Sequence, residues 1–258
     1  MKADLRETRV LDAVVSLVDT LLDDFDVVDL LTELTEHCAH LLDVASAGLL
    51  LADPRGRLQL MAATSEKTHD LELFQLQAEQ GPCLDCYTTK RSISVADLHA
   101  HQQRWPQFVP AATTAGFASV HAVPMRAAGT VLGALGLFGT HVGELNAADL
   151  LVGHTLAHIA CVAILQEHAP TPHTVQPTLR SALTSRVIVE QAKGFLGEHL
   201  GIPVDDAFTL LRRYARIHHQ HMTDVARQLL THPDTRTAHL ERMTTMLDDA
   251  HDEESSSN

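Results

Sequence analysis

The chain has 258 residues, 45% hydrophobic and 20% charged, and a formal net charge of −14 at pH 7. That is the composition of a globular protein with room for one large domain or two ordinary ones. The acidic total excludes a surface that binds nucleic acid nonspecifically as a whole, so any such binding must be local.

The opening MKADLRETRV has no apolar signal core, and the chain lacks an uninterrupted apolar run of about 18 residues. The cysteines at 38, 83, 86 and 161 are too few and too scattered for a secreted disulfide framework. A cytoplasmic protein with no membrane partner is the expectation. Charge is unevenly placed: residues 180–230 carry seven Lys/Arg and five Asp/Glu, a net of +2, which leaves −16 for the rest. Such asymmetry points to two units with different partners.

Residues 5–25 have a helical pattern in which Leu11, Val14, Val18, Leu21 and Phe25 are spaced 3-4-3-4, as in a short a/d seam. This helix either pairs with a second copy or packs on its own domain, and the spacing leaves both open. Asp26 or Asp29 opens a second helix to about Leu42. SAGLLLAD and RLQLMAAT flank the turn PRG, so residues 46–64 read as a hairpin. A helix over 68–78 follows. EQGPCLDCYTTKRSISVADL then reads as a turn, a short helix and the strand SISV, and RWPQFVPAATTAG as loop plus helix. Two further strands flank a turn at about Ala128–Thr130, with Gly133, Gly136 and Gly139 marking close backbone approach. A helix from about Asn146 to His168 closes the domain, and a stripe through Leu150, His154, Ala157, Cys161 and Ile164 is a second expected dimer surface.

This order makes an α+β domain over residues 25–168, preceded by the helix of residues 1–24. APTPHTVQPT, residues 169–178, holds three prolines and reads as a linker. Residues 179–232 form a second domain and 233–258 a C-terminal extension ending in the acidic, serine-rich tail HDEESSSN, expected to be solvated.

The first domain resembles a GAF domain. EQGPCLDCYTTKRSISVADL, RWPQFVPAATTAGFASVHAVPM and VLGALGLF follow the pattern of GAF domains joined to an ANTAR domain in actinobacterial-type regulators. The resemblance implies an antiparallel sheet with flanking helices and a small-molecule or redox sensor whose signal, and any cofactor, stays unnamed. Cys83 and Cys86 form a C-x-x-C that is either a sensing thiol pair or part of the sensor-pocket lining. Trp105, Phe117, His121 and Phe138 are further pocket candidates.

Three amphipathic segments follow the linker. Ile188, Ala192, Phe195 and His199 share one side of the first, and Arg186, Glu190 and Lys193 another. In the second, Pro203 precedes Asp205 and Asp206 in the first turn, Ala207, Phe208, Leu211 and Ala215 form the buried stripe, and Arg212, Arg213 and Arg216 face outward. Met222, Val225, Ala226, Leu229 and Leu230 stripe the third. The string Ser185-Arg186, Ile188, QAKGFL, DDAFTLLRRYA and DVA at 224–226 resembles an ANTAR domain, an RNA-binding three-helix bundle of transcription antiterminators. Gly197, His219 and Gln220-His221 depart from the family pattern.

The resemblance implies a dimer that holds stem-loop RNA in nascent transcripts and so prevents formation of a terminator. Arg186, Lys193, Arg212, Arg213 and Arg216 are the expected RNA contacts, over a core that includes Ile188, Ala192, Phe208, Leu211, Ala215 and Val225. Gly194 and Gly197 each cost roughly 1 kcal/mol against alanine inside a helix. They serve either close approach of RNA or helix packing. No catalytic motif orders the Cys, His and Asp residues, so no enzyme is expected. HHQH and the pair His154/His158 lack the cysteine or carboxylate partners that would fix a metal site.

Overall fold

The computed structural model describes residues 2–23, 25–166 and 175–256. The chain divides into two compact units, Met1–Leu183 and Thr184–Asn258.

In the first unit, α1 (Lys2–Leu22) precedes α2 (Val27–Leu41). Asp26 caps α2 by accepting from the Val28 and Asp29 amides, which satisfies two of the donors a helix start leaves open. β1 (Ser46–Ala52) and β2 (Leu58–Ala63) form the expected hairpin, and α3 (Glu66–Ala78) starts at the capping side chain of Ser65. There follow α4 (Pro82–Thr89), β3 (Ile93–Val95), α5 (Phe108–Thr114), β4 (Ser119–Ala127), β5 (Thr130–Gly139) and α6 (Ala147–Gln166). Ala128 and Gly129 turn the β4–β5 hairpin with φ of 48° and 77°, the sign a tight primed turn requires.

The five strands pair antiparallel in the order β2-β1-β5-β4-β3. Alternation along the strands sends Leu137 and Val123 toward Gly153 of α6, and Gly136 toward Glu72 of α3. The sheet therefore carries α2 and α6 on one face and α3, α4 and α5 on the other.

Two helix faces bear on the expected dimer surfaces. On α1, Ala13 and Leu17 are buried, while Leu11, Val15, Val18 and Leu22 are exposed. On α6 the stripe expected outside points inward: Ala157, Cys161 and Ile164 are buried and His154 is half-buried, whereas Leu151 and Val162 are outside. The helix is apolar nearly all round, so periodicity does not distinguish its faces. Its buried Asp149 is bonded by Asn146 at the helix start and ion-paired to Arg6 of α1.

The second unit contains most of α7 (Val175–Leu200), then α8 (Val204–Ile217), α9 (Met222–Thr231) and α10 (Pro233–Ser256). The proline-rich linker lies largely outside the described residues, and its last four positions begin α7. In the C-terminal extension the backbone of α10 is helical through Ser256, into the stretch expected as a tail, and the helix packs on α8 and α9. Leu240 and Met243 are buried there. Three helices are thus joined by a fourth.

Candidate sensor interior and nucleic-acid interface

Cys83 and Cys86 lie in the helix α4, not in a loop, and both are fully buried. Cys83 faces a carboxyl that the sequence did not reveal. Glu72 on α3 is fully buried, with Oε1 3.6 Å from Cys83 Sγ, and Gln75 donates to its Oε2. The Gln75 carbonyl accepts from the Cys83 amide at 3.2 Å. Glycine makes this arrangement possible: a Cβ on Gly48 or on Gly136 would sit 2.7 Å from Glu72 Oε1. The Gly136 Cβ would also lie 2.8 Å from Cys83 Sγ.

Burial raises the Glu72 carboxyl to about 8, against the opposing hydrogen bonds from Cys83 and Gln75. Burial also pushes the Cys83 thiol well above its ordinary value, helped by the neighbouring Glu72 and Cys86 charges. Cys86 rises to about 12 by burial, with Arg126 acting the other way. Both thiols are therefore protonated at neutral pH, which makes them weak nucleophiles. The geometry favours a packed polar interior over an oxidation switch.

The remaining pocket candidates separate. Phe117 and Phe138 pack with ring centroids 5.2 Å apart, in one cluster with Trp105, Phe108 and Val120. The Trp105 ring nitrogen donates to Asp85 at 3.2 Å, and Arg104 lies over its ring. His121 is on the opposite face of the sheet from Cys83. Its Nδ1 lies 2.5 Å from Ser94 Oγ, and burial lowers its pKa. It borders a cleft of about 330 Å³ that Asp43, Ser119, His141 and Glu144 also line. Among the described residues no group of three or more His, Cys, Asp or Glu is placed to hold a metal ion.

In the second unit the five expected RNA contacts divide. Lys193 is buried, 9% exposed, with Nζ 3.0 Å from Glu190 Oε2. Arg186 pairs with Oε1 of the same carboxylate, and burial lowers its pKa while Glu190 opposes the change. These two cations clasp one acid along α7 instead of facing outward. On α8, Arg213 and Arg216 are exposed and Arg212 is half-buried.

The core is also shifted. Val189 is fully buried while Ile188 is only half-buried, and Leu210 and Tyr214 are buried where Phe208 is half-buried. Ala192, Leu211, Ala215 and Val225 are buried as expected. The added helix α10 contributes polar anchors. Tyr214 Oη lies 2.9 Å from His239 Nδ1, and His239 Nε2 lies 2.7 Å from Gln228 Oε1, a chain joining α8, α10 and α9. Arg236 donates to the Leu229 and Leu230 carbonyls that end α9 and lies over the Phe195 ring.

A GAF domain model matches residues 26–165, just over half the chain. The chain belongs to the GAF family. Behind that domain an ANTAR domain model matches residues 178–230, so this GAF–ANTAR chain has the order of a signal-regulated regulator. The ANTAR match stops before α10.

Solved structures similar to the chain include a free methionine-R-sulfoxide reductase from Neisseria meningitidis in complex with its substrate, at 19% identity and TM-score 0.48, covering 70% of this chain and 94% of that one. Another is the GAF domain of a phosphoenolpyruvate-protein phosphotransferase from Coxiella burnetii, at 16% identity and TM-score 0.48, covering 59% and 91%. The corresponding Acinetobacter domain has 14% identity and TM-score 0.47, covering 67% and 94%. No curated protein matches the chain.

Proposed function

We propose that this GAF–ANTAR protein is a cytoplasmic, signal-responsive RNA-binding regulator that acts by transcription antitermination. The observation that carries this reading is α8 within the ANTAR match: Arg212, Arg213 and Arg216 crowd one short helix of a chain whose net charge is −14. Arginine neutralises phosphates and also stacks on or hydrogen-bonds unpaired loop bases, so stem-loop RNA suits this helix. Arg186 and Lys193 pair with Glu190 within α7 itself.

The GAF domain supplies the signal input, and a homodimer pairs the output domains. The exposed residues Leu11, Val15, Val18 and Leu22 of α1, spaced 4-3-4, support pairing with a second copy. Full-length protein titrated with a stem-loop RNA library and with duplex DNA tests the reading. Tighter binding of a stem-loop, weakened by Arg213→Ala, is the expected result. Duplex DNA bound at least as tightly as every stem-loop would replace RNA with DNA as the target. Light scattering on Val18→Glu tests the dimer: a parent that is monomeric at micromolar concentration, with and without RNA, would remove it.

A further inference from the structure

The β3 edge of the GAF domain gathers basic side chains from three separate segments. Lys90 ends α4 at φ 58°, and its carbonyl accepts a hydrogen bond from Arg126 Nη2 at the end of β4. Ser92 Oγ, two residues on, lies 3.4 Å from His154 Nε2 on α6. His158 follows one helical turn later and is exposed, as are Lys90, Arg91, Ser92 and Arg126.

Segments 88–96, 120–131 and 150–165 contain no aspartate or glutamate in a chain that has 33. Among the described residues no carboxylate pairs with Lys90, Arg91, Arg126, His154 or His158. Like charges held together without a counter-ion repel, and a bound anion converts that repulsion into attraction. The half-buried His154 feels it: burial, then His158 and Arg126, lower its pKa. A guanidinium fork beside two imidazoles and a hydroxyl matches the several acceptor oxygens of a phosphate group.

We propose that Arg126, His154, His158 and Ser92, flanked by Lys90 and Arg91, form a binding site for a small phosphate-bearing molecule. The site lies on the α6 side of the sheet edge, across the sheet from Glu72 and Cys83. Arg126 also reaches the end of α4, where its Nη2 donates to the Lys90 carbonyl.

Inorganic pyrophosphate is the probe, titrated into the full-length protein at constant ionic strength while proton NMR follows the histidine ring signals. Saturable shifts of the His154 and His158 signals are expected, identified by their loss in His154→Gln and His158→Gln. Arg126→Ala should weaken binding at least tenfold, with Trp105 fluorescence confirming that the domain is folded. His158→Gln, at an exposed position, should weaken it severalfold, with the same Trp105 check on folding. The proposal is overturned if pyrophosphate shifts these signals no more than sodium chloride does, or if folded Arg126→Ala and His158→Gln bind as tightly as the parent. It is equally overturned if a stem-loop RNA produces the shifts and pyrophosphate does not. None of these outcomes bears on RNA binding by α8.

Discussion

Replacing Glu72 by glutamine should remove a steep pH dependence from the stability of the GAF domain. The carboxyl is fully buried, and its pKa rises from an ordinary 4.5 to about 8. The folded state thus holds a proton that the unfolded chain releases above pH 4.5. Stability from this group is fully present below pH 4.5, declines between 4.5 and 8, and is gone above 8. A rise of about 3.5 units at 1.36 kcal/mol each amounts to roughly 5 kcal/mol across that window. Glutamine imitates the protonated acid: its oxygen accepts from Gln75, its amide faces Cys83 Sγ, and nothing titrates. Trp105 is the single tryptophan and sits in this unit, so its fluorescence reports the GAF domain alone in the full chain. Urea midpoints from pH 5 to 9 should fall steeply for the parent and much less for Glu72→Gln. Parallel curves would refute the buried, protonated carboxyl.

Four further substitutions test the packing and the charge assignment. Gly136→Ala places a methyl group 2.7 Å from Glu72 Oε1 and 2.8 Å from Cys83 Sγ; an overpacking loss of about 1–3 kcal/mol is expected in the Trp105 transition, and an unchanged midpoint would contradict this contact. Arg213→Ala should lower the salt slope of RNA binding by roughly 0.7–0.9, whereas Lys193→Met should leave the slope alone; the opposite pattern in filter-binding titrations would return Lys193 to the RNA surface. Tyr214→Phe leaves the Nδ1 of the buried His239 without its partner and should cost about 1–3 kcal/mol of ANTAR-domain stability by circular dichroism; no loss would show that α10 is not tied to the bundle through this bond.

Local signals made the fold readable. Asp26, Ser65 and Asn146 cap helices, and PRG and Ala128-Gly129 close hairpins, so element types followed from nearby residues. What stayed hidden depends on the far side of a contact. Glu72 lies on α3, whose weak amphipathic pattern reads as surface, and its burial rests on Gly48 and Gly136, paired on the neighbouring strands β1 and β5. Adjacent apolar pairs Ile188/Val189 and Leu210/Leu211 allow the helix stripe to be set one position off, which placed Lys193 outside. The four-helix unit was hidden because α10 has few apolar residues and is held through Arg236 and His239. Gly194 and Gly197 also proved different: a Cβ at 197 would meet the Ile202 carbonyl at 3.3 Å, whereas one at 194 meets nothing within 4 Å. Turn packing explains the first, and the second remains an exposed, side-chain-free spot on α7.

The charge distribution gives pairing a functional reason. Arg186 and Lys193 pair with Glu190 along α7. Arg213 and Arg216 are exposed on α8 with Arg212 half-buried beside them, so the three α8 arginines are the phosphate contacts proposed for one ANTAR domain. At roughly 0.7–0.9 per contact they support a salt slope of about 2–3, which is a weak hold on RNA. Outside residues 180–230 the chain is acidic in total, and that net charge opposes a long polyanion such as RNA, most of all at low salt where screening is least. In the proposed dimer a second copy would double the slope and turn a second stem-loop into an intramolecular partner, whose effective concentration the connecting RNA sets. For the proposed RNA-binding function, three cations on an acidic protein would be too few for a monomer and sufficient for a dimer whose two domains each engage one loop of the same RNA.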